Sequence, residues 1–276
     1  MTNLTDRLYE YLEIRRALGY DLAFKERVMK KCTAYADERH AQHITTALFE
    51  AWKRDYGSAD TNPWAARVSM VRKFAAWLHG IDGKSEVPPR DIAIGKPKRS
   101  KPYIYSEQQI QDIVVEAARL PSEYGFRGIT AATLFGLIAV TGLRINEALG
   151  LQRGHIDLSA GTLEILKSNS GNERCLPLAP STVDRLEQYL NQRQHITGLD
   201  GGPVFVRHTS APLGDCGARY TFAQIGHRLG HRKPAGYKRH GVGPRIHDLR
   251  HTFAVRTIIN RDKAGLDVDQ EMYKLS

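Results

Sequence analysis

Along the first ninety residues, apolar positions recur at intervals of three and four. Leu4, Leu8, Tyr11, Leu12 and Leu18 fall on one helical face, and Gly19 is the expected stop. Phe24, Val28, Cys32 and Tyr35 repeat the spacing. Thr45 or Thr46 caps a third helix carrying Leu48, Phe49, Trp52 and Tyr56. Asn62-Pro63 opens a fourth, with Val68, Val71, Ala75 and Leu78 on its apolar face. Four amphipathic helices predict a small all-α domain over residues 1–82. The pattern then lapses, and Gly83, Pro88, Pro89, Gly95, Pro97 and Pro102 predict a linker over 83–105. A second domain, 106–276, opens with a capping box, Ser106 to Gln109, ahead of Ile110, Ile113 and Val114. A strongly apolar helix follows from about Ile129 to Val140. The period then shortens to two: Ile156 to Leu158, Thr162 to Leu166 and Arg174 to Leu178 predict three short strands. Helices resume at Ser181 to Leu190, at Tyr220 to Leu229 and from His247. The fold class is mainly α with a small antiparallel sheet.

Charge changes this picture more than composition does. An apolar fraction of 41% suits an ordinary globular chain, but 40 Lys and Arg against 30 Asp and Glu give a net charge of +10. Such an excess favours polyanions as partners. The apolar stretch 129–140 is too short to span a bilayer, so no membrane association is expected. The first residues, MTNLTDRLYEYLEIRR, lack the basic-then-apolar layout of a signal peptide. Cys32, Cys175 and Cys216 are odd in number and widely spaced, which fits neither a disulfide framework nor a zinc pattern and suits the cytoplasm.

The positive charge is concentrated in two places. Lys96, Lys98, Arg99 and Lys101 end the linker, where they either track a phosphate backbone or are simply solvated. Residues 217–247 hold seven Lys or Arg and no acid, among them Arg228, Arg232, Lys233, Lys238 and Arg239. These are candidate DNA contacts. His227 and His231 have the spacing of a metal-binding helix, but no acid or thiol stands ready to complete a site, so no metal is expected.

Two segments are more specific than any of these. Thr141-Gly-Leu-Arg-Ile-Asn-Glu-Ala-Leu149 follows the apolar helix, and Ile246-His-Asp-Leu-Arg-His-Thr-Phe253 follows the basic span. Phosphoryl transfer on a DNA diester builds negative charge on the non-bridging oxygens, and two arginines can clamp those oxygens bidentately without a metal. Glu147 and His247 each lie three residues from an arginine, on the same face if the segment is helical.

The two segments resemble the Gly-Leu-Arg-x-x-Glu-x-Leu and His-x-x-Arg boxes of the tyrosine recombinases, the phage integrase family. The resemblance covers nearly the whole chain and is strongest from Ser106 to Arg256. It implies an N-terminal four-helix core-binding (SAM-like) domain and a C-terminal α+β catalytic domain. It further implies site-specific recombination of double-stranded DNA through a 3′-phosphotyrosine, by a homo-tetramer on DNA, with no cofactor. In this scheme Arg144 and Arg250 clamp the phosphate, Glu147 orients Arg144, and His247 assists proton transfer. Lys167, at the end of the second predicted strand, protonates the leaving 5′ oxygen.

The family's Leu-Gly-His box and nucleophilic tyrosine lie further beyond the second arginine than the 26 residues that follow Arg250. Tyr273 precedes the place where that box belongs, so the expectation is of a chain cut inside the linking helix. Two readings follow: a recombinase truncated before its nucleophile, or a catalytically dead remnant that only binds recombination sites. A helix-turn-helix regulator explains the charge but not two boxes flanking a sheet.

Overall fold

In a computed structural model the described residues are 3–20, 22–56, 61–93, 101–166, 173–235 and 238–266. The chain divides into two compact units, 1–100 and 101–276. The first holds α1 (Leu4–Ala17), α2 (Ala23–Asp37), α3 (Thr46–Asp55) and α4 (Thr61–Asp82). Each expected helix is present. Asn3 caps α1 by accepting the Asp6 N–H at 2.7 Å, and Thr45, not Thr46, caps α3 by accepting that of Leu48 at 3.1 Å. Leu18 departs from the expected face: α1 ends at Ala17, Gly19 turns at φ +79°, and the Leu18 side chain is exposed. Phe49, Trp52, Trp64 and Phe74 fill the core, with Trp52 and Trp64 edge-to-face at 5.3 Å. Such ring pairs add about 0.5–1.5 kcal/mol beyond the area they bury.

The expected linker does not begin at residue 83. The Asp82 carboxylate accepts the N–H groups of Lys84 at 2.9 Å and Ser85 at 3.0 Å. Glu86 accepts from the Thr46 N–H at 2.8 Å, and Lys53 donates to the Ile92 carbonyl at 2.7 Å. Glycine and proline exclude a helix here, but these polar groups supply the hydrogen bonds that fold the segment back onto its own unit. Although its partial burial favours the neutral acid, these hydrogen bonds, with one from His43, pull the Asp82 carboxyl down to about 2.

The second unit is built around α6 (Phe126–Thr141), whose residues Phe126, Leu134, Phe135 and Ile138 are buried. It packs against α5 (Glu107–Ala118), capped as expected by Ser106 and Gln109. The approach is close at Gly128, where a methyl group would meet the Ala118 carbonyl oxygen at 2.5 Å. After the short α7 (Ile145–Leu149) comes an antiparallel sheet in the order β1 (Ile156–Asp157), β2 (Thr162–Ile165), β3 (Arg174–Pro177). Its register pairs Leu163 with Leu176 and Ile165 with Arg174. Then follow α8 (Pro180–Thr197), α9 (Asp215–Arg228), an antiparallel ribbon of β4 (Lys233–Ala235) and β5 (Lys238–Val242), and α10 (Ile246–Lys263), which also packs on α6. The ribbon falls in the span read from sequence as a basic loop. Half of its residues are Lys, Arg or His, Pro234 and Gly241 are among the others, and no apolar alternation announces a strand.

Candidate active site

The turn after α6 sets up the first motif. Gly142 caps the helix at φ +67°, a conformation that costs a side chain, and its N–H reaches the Ile138 carbonyl at 2.9 Å. Leu143 then plunges into the core, which leaves Arg144 in extended backbone as the residue before α7. Glu147 reaches back from α7. One carboxylate oxygen accepts the Arg144 backbone N–H at 2.9 Å, and the other accepts the Arg144 guanidinium at 2.9 Å.

Glu147 is also held from the sheet. Arg174, the first residue of β3, donates to both carboxylate oxygens, at 2.8 and 3.3 Å. The Glu147 side chain is only 4% exposed. Burial favours its neutral form, but the hydrogen bonds from Arg174 and Arg144 outweigh this and hold the carboxyl below its usual range. Arg174 was not among the residues singled out from the sequence, because nothing in the strand pattern distinguishes it from a solvated strand end.

The second motif sits on the first turns of α10. Asp248 accepts the Arg245 N–H at 2.7 Å and so caps the helix start, while buried Ile246 and Leu249 fix its rotation. The unit's opening segment grips the same helix: the Tyr105 N–H donates to Thr252 at 3.0 Å, and Arg256 donates to the Tyr105 carbonyl at 3.1 Å. His247 and Arg250 consequently face one way. Arg250 donates to the carbonyl of Gly142, two residues before Arg144. With Arg174 it lines a cleft of about 230 Å³ between the end of α6, β3 and α10. Burial lowers the Arg250 pKa, and the neighbouring charges of Arg144 and Arg174 act in the same direction against Glu147. His247 stands against His251, ring centroids 4.5 Å apart, and its pKa is lowered by partial burial and then by the His251 and Arg250 charges. Both effects favour the neutral imidazole, the form able to accept a proton.

The remaining expected residues are placed differently. Lys96, Lys98, Arg99 and Lys167 lie outside the described residues, as does Tyr273. Lys101 and Lys233 are exposed, and Lys238 and Arg239 are placed only as backbone of β5. Arg228 is exposed but paired with Glu116 at 3.0 Å. The expected phosphate contact at Arg232 is corrected: the residue is buried, and its guanidinium donates to the carbonyls of Gly241 at 3.0 Å, Gly243 at 2.9 Å and Pro244. Its stem crosses α9 at Gly226, where a methyl group would clash with it at 2.7 Å. These acceptors lie at the end of β5 and in the residues that follow it. The His227 ring nitrogen meets the Arg232 carbonyl at 3.1 Å, a structural use of that histidine. A larger cavity of about 630 Å³, lined in part by Phe126, Leu134, Phe135 and Leu213, includes no residue of either motif.

Two distant segments thus converge on one cationic cleft, in the order and spacing read from the sequence. Residues 105–273 match the phage integrase family. The chain belongs to this family. An integrase/recombinase-type protein of Sinorhizobium fredii, y4rB, is 33% identical over 281 residues, covering 100% of this chain and 88% of the relative. The tyrosine recombinase XerD of Caulobacter vibrioides is 29% identical over 225 residues, covering 79% and 70%. The fold is shared with a lambda integrase solved as a tetramer bound to a Holliday junction, at a TM-score of 0.59 and 17% identity, covering 92% of this chain and 73% of that one. The integrase family's mostly helical architecture, with its small antiparallel sheet, is the one described above. Among the described residues no helix is long and apolar enough to cross a membrane.

Proposed function

We propose that this integrase-family chain binds duplex DNA and holds a scissile phosphate between Arg144 and Arg250, with His247 beside it. The observation that carries this reading is the hydrogen bond from Arg250 to the Gly142 carbonyl, which locks the second motif's arginine next to the first motif's. In the reaction a tyrosine oxygen bonds to phosphorus as the bond to the 5′ oxygen breaks, leaving a 3′-phosphotyrosine and a 5′ hydroxyl. The guanidiniums stabilise the charge that grows on the non-bridging oxygens. Lys167, which follows the β2 end whose Ile165 pairs with Arg174, is assigned to protonate the leaving oxygen. The phenolic proton goes to His247. Assembly on DNA is as a tetramer, in keeping with the lambda integrase neighbour.

Two measurements test this. Duplex affinity is expected to fall by roughly tenfold or more between low and physiological salt, because several phosphate contacts release counterions. A flat affinity would refute DNA binding by this route. On a nicked suicide duplex carrying its recombination site, in a chain extended by a family-like tail that carries the tyrosine, Arg144→Ala and Arg250→Ala each lower covalent adduct formation by about 10²–10³, the loss typical of one transition-state donor, and leave duplex binding little changed. Running Tyr273→Phe alongside, alone and with added y4rB, identifies which chain supplies the tyrosine. Equal loss of binding and cleavage in the arginine variants would overturn the clamp.

A further inference from the structure

Arg174 stands outside both motifs yet reaches the carboxylate that one of them carries. An orienting acid beside a phosphate-binding arginine carries a physical cost: a carboxylate paired one-to-one with Arg144 fixes its position and cancels its charge at the same time. In this cleft the carboxylate is shared. Arg174 engages both oxygens of Glu147, at 2.8 and 3.3 Å, and the Arg144 guanidinium engages one of the same oxygens at 2.9 Å. The exchange takes place where it matters most, since the Glu147 side chain is 4% exposed against 25% for Arg174 and 34% for Arg144. Charges count for more there than in water. Arg174 is also rigidly based, opening β3 in register with Ile165, and it lines the cleft with Arg250.

We propose that Arg174 is a positioning residue that takes up most of the charge of Glu147, leaving Arg144 oriented but not neutralised and so strengthening the hold of Arg144 and Arg250 on an anionic oxygen. The proposal rests on the phosphate-clamp reading above. Three cations then face one carboxylate, and the cleft keeps a positive excess with its geometry fixed. Glu147 stays ionised despite burial, as this sharing requires.

The test is titration of inorganic phosphate into the full chain, followed through the side-chain resonances of ¹⁵N-labelled arginine, with the folded fraction measured in parallel. Arg174→Met is expected to weaken phosphate binding by about tenfold, the scale of one strong charge-assisted contact. Adding Glu147→Gln to Arg174→Met removes the charge that then falls on Arg144 alone, so most of the loss should return. A direct phosphate contact by Arg174 predicts no recovery in the double variant, and a purely structural role predicts a lower folded fraction with unchanged affinity; either result overturns the proposal. Should Arg174→Met not fold, Arg174→Gln with and without Glu147→Gln gives the same comparison, since glutamine can still donate to the carboxylate but carries no charge. Arg144→Ala separates the two levels. If it leaves the phosphate response unchanged, the clamp itself is wrong and the role of Arg174 falls with it.

Discussion

Arg250 and Arg232 sit eighteen residues apart, both in basic surroundings and both followed within a few residues by histidine or glycine, yet the fold uses them in opposite ways. Arg250 shares its cleft with Arg174 and lies close to Arg144 and the carboxylate of Glu147. Arg232 is buried and donates to the carbonyls of Gly241, Gly243 and Pro244. At 8% exposure its guanidinium is turned inward and out of reach of a ligand. Arg193 repeats this arrangement, fully buried and donating to the carbonyls of Gly201 and Pro203. The density of arginine in a segment therefore says little about its use. What distinguishes Arg144 and Arg174 is the Glu147 carboxylate that holds both guanidiniums.

The contrast can be broken most forcefully at Arg232. Removing its side chain takes the donor from three carbonyls and opens a gap over Gly226, so Arg232→Ala should destabilise the protein by about 2–4 kcal/mol in urea unfolding. The salt slope of duplex binding should not change. Unaltered stability with a slope reduced by about one would return Arg232 to the DNA-contact class.

Gly142 tests the other side. Its φ of +67° and the Phe253 ring, which a methyl group would meet at 2.3 Å, make Gly142→Ala costly by about 1–3 kcal/mol. Because its carbonyl receives Arg250, phosphate affinity should fall as well, a loss that Arg232→Ala does not share. Normal phosphate binding in folded Gly142→Ala would show that the Arg250 contact does not set the clamp.

The smallest effect is expected from acid. The folded Glu147 carboxyl lies below its ordinary value of 4.5, so its contribution to stability is complete above that pH and is lost as pH falls through the folded value. Glu147→Gln should flatten this part of the acid-unfolding curve, whereas Arg232→Ala should shift the whole curve without changing its shape. An acid limb identical to that of the native chain in Glu147→Gln would mean that the shared carboxylate contributes nothing to folding.

The helices, the capping box at Ser106, the three-stranded sheet and the pairing of Arg144 with Glu147 were legible in the sequence, because each depends on neighbours a few residues away or on a strong apolar period, whereas the sequence leaves the cap of α3 between Thr45 and Thr46. It also determined the family, since two boxes in order around a sheet are specific as patterns. Tertiary structure alone decided where the first unit stops, because Asp82, Glu86 and Lys53 fold the Gly/Pro segment back through contacts up to 40 residues apart. It also decided that a ribbon forms without apolar alternation, that Arg232 turns inward, and that Arg174 comes to Glu147 from 27 residues away. A guanidinium has five donors and a long stem, and whether those donors meet a carboxylate, a carbonyl or a phosphate depends on what the folded chain sets within reach, which spacing along the sequence does not encode.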